Sequence, residues 1–300
     1  MRKVIIDTDP GTDDALALMM ALNSPDLDVQ AITTVGGNAT LAHTTRNALR
    51  LMEYLGATGI PIAAGASRPL RGSFTYAYHF HGSAGLGVRL PAPKSKPHGV
   101  PADEYIHGLV SAYPGEFTII ALGPLTNIAM VLQKYPELLL KIKDIFVMGG
   151  AVEVPGNVTL HAEFNIYDDP WAANIVFMSG VPVTLVGLDV THQTYFHRDE
   201  GPRWFAGKSK SAQLGNRILT NRFRARPDLD EFHLHDPLAV AAVIEPDVLT
   251  YRQATVSVVT EGQERGRTVA TYSDGPMKVA VGVDEGRAVG LVRNLIEGRA

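Results

Sequence analysis

Short apolar, β-branched runs alternate with helical stretches along this chain, and each run stops at a cluster of turn residues. Val4-Ile5-Ile6 ends in an acidic Pro-Gly turn before a helical segment, Ala15 to Leu22. Val29 to Val35 ends in Gly36-Gly37-Asn38, and a helix follows from about Leu41 to Leu55. Phe117 to Leu122 ends in Gly123-Pro124-Leu125-Thr126-Asn127, with a helix to about Lys134. Asp144 to Met148 ends in Gly149-Gly150, and Val181 to Leu188 ends in Asp189-Val190-Thr191-His192. Strands alternating with helices predict an α/β fold: an open, mostly parallel central sheet with helices on both faces. Ala254 to Thr260 and Arg267 to Tyr272 add a small C-terminal β-hairpin around Gly262 to Gly266. Lys278 to Val283 reads as a further strand and Glu285 to Ile296 as a closing helix. No repeat or linker interrupts the pattern, so one domain over residues 1–300 is expected. In such sheets ligands bind beyond the carboxyl ends of the strands, where the polar residues gather here.

Two stretches break the rhythm. Ser67 to Pro101 lacks clear periodicity and is rich in Gly, Pro, His and aromatics, including Phe74, Tyr76, Tyr78 and Phe80. A structureless stretch this long inside a compact domain is usually functional or disordered, and its aromatic content argues against disorder. Asn221 to His233 sets Arg222, Arg224 and Arg226 around Phe223, followed by several acids. It reads either as a solvated loop of mixed charge or as a lid over the site.

Composition narrows the function classes. The chain has 300 residues, 45% hydrophobic and 19% charged, which is ample for a large core. A formal net charge of −4 argues against nucleic acid or an anionic membrane as the main partner. With no cysteine, disulfides, cysteine nucleophiles, zinc–thiolate sites and iron–sulfur clusters are excluded. The apolar run after Met1-Arg2-Lys3 is too short for a signal-peptide core, and no segment is long enough to span a bilayer. A cytoplasmic location is therefore expected.

The acidic turn carries the strongest chemical signal. Asp7-Thr8-Asp9-Pro10-Gly11-Thr12-Asp13-Asp14 sets four carboxylates into eight residues. Packed this closely they repel one another and are costly to desolvate. A divalent cation compensates, and hard oxygen ligands favour Ca²⁺ or Mg²⁺. The N-terminus of the following helix takes up part of the charge. An ordinary acid-enriched helix start accounts for Asp13 and Asp14 but not for Asp7 and Asp9.

Three further groups are weak singly. His235-Asp236-Pro237 opens an apolar helix, Glu163-Phe164-Asn165 follows the Gly156-Asn157 turn, and His81-Gly82 lies in the long aromatic stretch. Each has a structural alternative: a satisfied histidine, an Asp cap before Pro, a surface acid. Together, and in this order, they resemble the inosine–uridine-preferring nucleoside hydrolases. The octad at 7–14 is similar to that family's fingerprint, D-x-D-P-G-x-D-D. The likeness extends through Thr33 to Asn38, His81-Gly82, Gly123 to Asn127, Met148 to Gly150, Glu163 to Asn165, Gly187 to Thr191 and His235 to Pro237. It thus covers nearly the whole chain.

The resemblance implies a nucleoside hydrolase fold on a Rossmann-like sheet, assembled as a homodimer or homotetramer. It implies hydrolysis of the N-glycosidic bond of ribonucleosides to ribose and a free purine or pyrimidine base, with bound Ca²⁺. By motif position, Asp9, Asp14 and Asp236 hold the metal by side chain, and Leu122 through its backbone carbonyl. Asp9 also orients and deprotonates the attacking water. Asp13 bonds the ribose 2′-hydroxyl, Asn38 and Asn165 flank the ribose, and Asn157 with Glu163 takes the 5′-hydroxyl. Phe164 and Asp236 belong to the same substrate-binding set, and Asp7 supports it from behind. His235 resembles the leaving-group acid and His81 is the second candidate, on the expectation of an unshifted imidazole pKa. An acidic pocket suits the reaction, because C1′ becomes oxocarbenium-like as the base departs.

Specificity is where the likeness frays. Pyrimidine-preferring members carry Gln and Tyr shortly before the His-Asp-Pro motif, where this chain has Phe223 and Pro227. Phe223 is then a candidate to stack on the base, with the neighbouring arginines as hydrogen-bond donors. After His81-Gly82 the family often has an acidic residue, where this chain has Ser83-Ala84. The base preference stays open. Two rival classes are a non-catalytic nucleoside- or ribose-binding relative and a phosphatase of the haloacid-dehalogenase type. The former needs neither Asp9 nor His235; the latter needs a lysine and a second acidic pair that are not evident. An EF-hand is opposed by the missing Glu at loop position 12.

Overall fold

In the computed structural model, which describes residues 1–299, the first apolar run forms the third strand from one edge of a nine-stranded sheet. The strands are β1 (Arg2–Thr8), β2 (Leu27–Thr34), β3 (Ile62–Ala64), β4 (Thr118–Ala121), β5 (Asp144–Met148), β6 (Val183–Val186), β7 (Tyr195–His197), β8 (Glu231–His233), β9 (Leu249–Val258), β10 (Thr268–Tyr272) and β11 (Met277–Val283). The large sheet has the order β10-β9-β11-β6-β5-β4-β1-β2-β3, while β7 and β8 pair by themselves. Pairing is parallel from β3 through to β11, and β9 runs antiparallel to both β11 and β10. The chain steps outward from β1 to β2 and β3, then returns to β4 on the other side. β1 and β4 therefore flank a topological switch point, the place where such sheets open a crevice for ligands.

Alternation along β1 explains how both faces are covered. Val4 and Ile6 join one core cluster, with helices 12–23, 41–55, 210–225, 235–244 and 285–297; Ile5 joins the other, with helices 102–112, 126–134 and 170–177. A strand buried on both faces needs a continuous apolar run, and Val-Ile-Ile supplies it. The helix after the acidic turn is buried from Thr12 to Ala21, as expected of a segment apolar on every side. Among the described residues, no helix is long and apolar enough to cross a membrane.

The expected hairpin forms, with Val258 opposite Thr268, but as the edge of the main sheet, because β9 also pairs with β11. Asn221 to Ala225 is helical, the last part of Lys210–Ala225, so only the remainder of that mixed-charge stretch is loop. Ser67 to Pro101 has one short helix, Tyr78–His81, and is pinned by its backbone. Leu70 and Thr75 donate to Asp169 and Asp168, Ala77 to the Asn38 carbonyl, and His98 to the Ile62 carbonyl.

Candidate active site

Two helices bring the acids together. Asp13 and Asp14 lie in the first turn of helix 12–23 and Asp236 in the first turn of helix 235–244; the two helices pack on each other. Their positive dipole ends converge on the carboxylates and offset part of their repulsion. Carboxylate oxygens of Asp13, Asp14 and Asp236 all lie within 4.8 Å of one another, although 222 positions separate Asp14 from Asp236 (236 − 14). Asp9 stands beside them, its Oδ2 accepting the Asn38 backbone N–H at 2.6 Å. Asp14 is held by the Thr8 hydroxyl, by the Gly11 N–H at 2.8 Å and by Asn38 Nδ2 at 3.0 Å. Asp7, at the end of β1, accepts from Thr33 Oγ1 at 2.5 Å and Asn127 Nδ2 at 2.7 Å.

Burial and mutual repulsion dominate the electrostatics. Burial, then the charge of Asp14, pushes Asp9 and Asp236 well above the usual carboxylate range and Asp13 up to about 7. Asp9 Oδ1 and Asp13 Oδ1 are buried with no hydrogen-bond partner. Orphaned oxygens in an all-oxygen cluster are the donor set that a hard divalent cation requires. Asp13, expected on the ribose, is as close to this set as Asp14 and Asp236 are.

Glycines keep the cluster compact. A Cβ on Gly37 would collide with the Asp9 carboxylate and come within 2.8 Å of Pro124 Cδ, and one on Gly123 would lie 2.7 Å from Asp9 Oδ1. Gly37→Ala is therefore expected to displace Asp9 and to cost about 1–3 kcal/mol of stability by overpacking. Ribose-release kinetics together with a denaturant titration check it, and unchanged values for both would contradict the close approach.

Above the acids lies a cavity of about 710 Å³, a volume suited to a nucleoside-sized molecule. Asp13, Asn38, His81, Leu122, Asn157, Glu163, Phe164, Asn165, His235 and Asp236 border it, whereas Asp9 and Asp14 are not among its lining residues. Asn165 Nδ2 donates to the Leu122 carbonyl at 2.8 Å. Glu163 caps helix 164–168 and accepts N–H groups of Gly150, Asn165 and Ile166 at 2.9–3.1 Å. Asn157 Oδ1 accepts the Phe164 N–H at 2.9 Å.

The histidines depart from their expected state. His81 Nδ1 accepts the Thr12 N–H at 3.1 Å, so the proton of its neutral ring sits on Nε2. Burial, then Arg222, lowers its pKa to about 3. His235 Nδ1 meets Thr191 Oγ1 at 2.8 Å, and burial followed by the neighbouring His233 and His192 pulls it well below the usual imidazole range. Both rings therefore present a neutral N–H at neutral pH rather than an imidazolium.

Phe223 does not reach the cavity. It is buried in the core, stacked on Trp204 at 5.5 Å between centroids, with the Arg198 guanidinium 4.9 Å from its ring. It shares the buried stripe of its helix with Leu219, four residues earlier. The next residue back, Arg222, borders the cavity instead, together with Phe80 and the segment Asp228–His233. That segment is a wall of the site, the position a lid would occupy. The sequence signal for Arg222 was the basic triplet, but not which member faces inward. Thr191 and Asp168, which fix His235 and the Thr75 backbone, carried no individual signal.

Fold and site together define an α/β protein whose carboxylate-floored pocket sits at the ends of parallel strands. Residues 4–289 match the profile of the inosine-uridine preferring nucleoside hydrolase family. The chain belongs to that family and is a ribonucleoside hydrolase. It is 42% identical over 282 residues to pyrimidine-specific ribonucleoside hydrolase RihA of Citrobacter koseri, covering 90% of this chain and 88% of that one. Identity to uridine nucleosidase 1 of Arabidopsis thaliana is 41% over 272 residues, covering 89% and 81%. The solved purine-preferring ribonucleoside hydrolase from Gardnerella vaginalis superposes with a TM-score of 0.93 at 35% identity, covering 99% of both chains.

Proposed function

We propose that this enzyme hydrolyses the N-glycosidic bond of ribonucleosides with Ca²⁺ held by Asp9, Asp14, Asp236 and the Leu122 carbonyl. The observation that carries the reading is the buried carboxylate cluster, with its orphaned Asp9 and Asp13 oxygens, directly beneath the cavity. When bound, calcium offsets the carboxylate charge, anchors hydroxyl oxygens and acidifies water. Asp9 orients the attacking water and takes its proton. Asp13, Asn38 and Asn165 grip the ribose hydroxyls, and Glu163 with Asn157 holds the 5′-end. The carboxylates stabilise positive charge growing at C1′. His81, with its proton on Nε2, and His235, as a neutral ring, donate hydrogen bonds toward the base. The family likeness also supports a homodimer or homotetramer, which sedimentation velocity reads directly.

Ribose release from inosine, adenosine, guanosine, uridine and cytidine, with and without a Ca²⁺ chelator, tests the reading. Release from at least one nucleoside, lost on chelation and restored by Ca²⁺, is expected. Undiminished release in chelator rejects the calcium site. 2′-Deoxyuridine is expected to react at least about 100-fold more slowly than uridine, since a buried group left unpaired is costly. Comparable rates would remove the 2′-hydroxyl role of Asp13.

A further inference from the structure

Arg222 is only 5% exposed and lies in the last turn of helix 210–225. Its guanidinium covers the Phe80 ring, with Cζ 3.4 Å from the centroid, and Nη1 donates to the Phe80 carbonyl at 2.7 Å. These contacts fix the plane of the fork. They leave Nε and Nη2 buried with no acceptor in the protein. Unmade hydrogen bonds on a buried cation are costly, and a ligand that supplies acceptors removes that cost. Arg222 borders the cavity, and no other Arg or Lys does so among the described residues.

The cavity thus has an acidic floor and one permanent positive charge on its wall, near enough to Asp13 that each charge acts on the other. The floor suits the sugar, which becomes positive. A fixed cation matches the other half of the breaking bond, which becomes negative. We propose that Arg222 binds the departing base and stabilises it as an anion, selecting nucleosides whose glycosidic nitrogen gives a stable anion, such as uridine, over cytidine. The inference rests on the hydrolase reading above. In the step, the C1′–N bond breaks and its electron pair passes to the base nitrogen. A water oxygen forms the new C1′–O bond and its proton goes to Asp9. The base anion, stabilised by the Arg222 charge, is protonated from solvent, and Asp9 returns its proton to solvent. Ribose and neutral base result. Arg222 is then a catalytic residue touching the leaving group, whereas a purely structural role would be to pin Phe80 to the helix.

The two roles separate in a leaving-group series. The wild type, Arg222→Met and Arg222→Lys would be assayed with Ca²⁺ on uridine, 5-fluorouridine, 5-nitrouridine and p-nitrophenyl riboside. Arg222→Met is expected to lose about 100-fold or more on uridine, the usual effect of removing a donor to developing negative charge. It should lose less than about tenfold on p-nitrophenyl riboside, whose leaving group needs little help. Its rates should also depend more steeply on leaving-group acidity, and Arg222→Lys should fall between. Wild type should favour uridine over cytidine. Parallel losses across the series, with an unchanged slope, overturn the inference and leave Arg222 a structural pin. If circular dichroism shows Arg222→Met unfolded, the slope for Arg222→Lys decides in the same way. Failure of the wild type on every substrate would instead reject the hydrolase reading beneath it.

Discussion

Asp9→Asn is expected to lower kcat for ribose release by about 1,000-fold or more while leaving the metal-free fold at least as stable as the wild type. The loss follows from chemistry: an amide keeps the shape but cannot take a proton from water. Asn38 still has an oxygen to donate to, as it does to Asp9 Oδ2 at 2.6 Å. The stability result follows from burial and like charge. Asp9 is fully buried, and Asp14 and Asp13 repel its charged form, so a neutral side chain removes a cost of folding. Steady-state kinetics at saturating Ca²⁺ and uridine, paired with melting in chelator, measure both halves. Activity within tenfold of wild type would remove Asp9 as the base. A large loss of metal-free stability would mean that Asn cannot replace it in the turn.

Calcium is expected to raise the melting temperature by about 5 °C at a hundredfold excess over its Kd, and by more at pH 8 than at pH 5.5. The sign comes from carboxylates whose folded-state pKa is raised. Asp7 and Asp13 are both pushed from the ordinary 3.8 up to about 7, first of all by burial. Between those values the metal-free folded protein holds protons that the unfolded chain has released. Their stabilising contribution is complete below about pH 4 and is lost as pH rises through about 7. Metal-free protein therefore weakens toward pH 8. A cation that satisfies the ionised cluster has most to restore there, and at pH 5.5 it must first displace protons. Differential scanning fluorimetry across pH, with Ca²⁺, Mg²⁺ or chelator, reads the effect. A calcium shift that is absent, or larger at pH 5.5, would contradict the cluster as the binding site.

Much of the site was legible because its parts are local. The octad, Gly36-Gly37-Asn38 and Gly123-Pro124 each follow a strand, and a strand end in a parallel sheet is fixed by the run before it. The fold class followed from the same runs, with β1 apolar on both faces. Helix 210–225 was harder. Its interior is polar enough that Asn221 to Ala225 read as loop, and only packing against Trp204 and Phe205 makes it a wall of the core. The histidine protonation state was likewise out of reach, because an imidazole pKa depends on burial and neighbours that lie far away in sequence.

The sequence by itself determined the parallel sheet, the acidic turn after its first strand and the residues that accompany it in the family's order. Each is a matter of short-range pattern, period or motif. Only the tertiary structure decided that Asp236 closes on Asp13 and Asp14, that His81 and His235 are neutral, and that Arg222 rather than Phe223 borders the cavity. One residue along a helix turns a side chain by about 100°, so neighbours in sequence face different surroundings. Which of them meets the substrate is set by what packs on the opposite side.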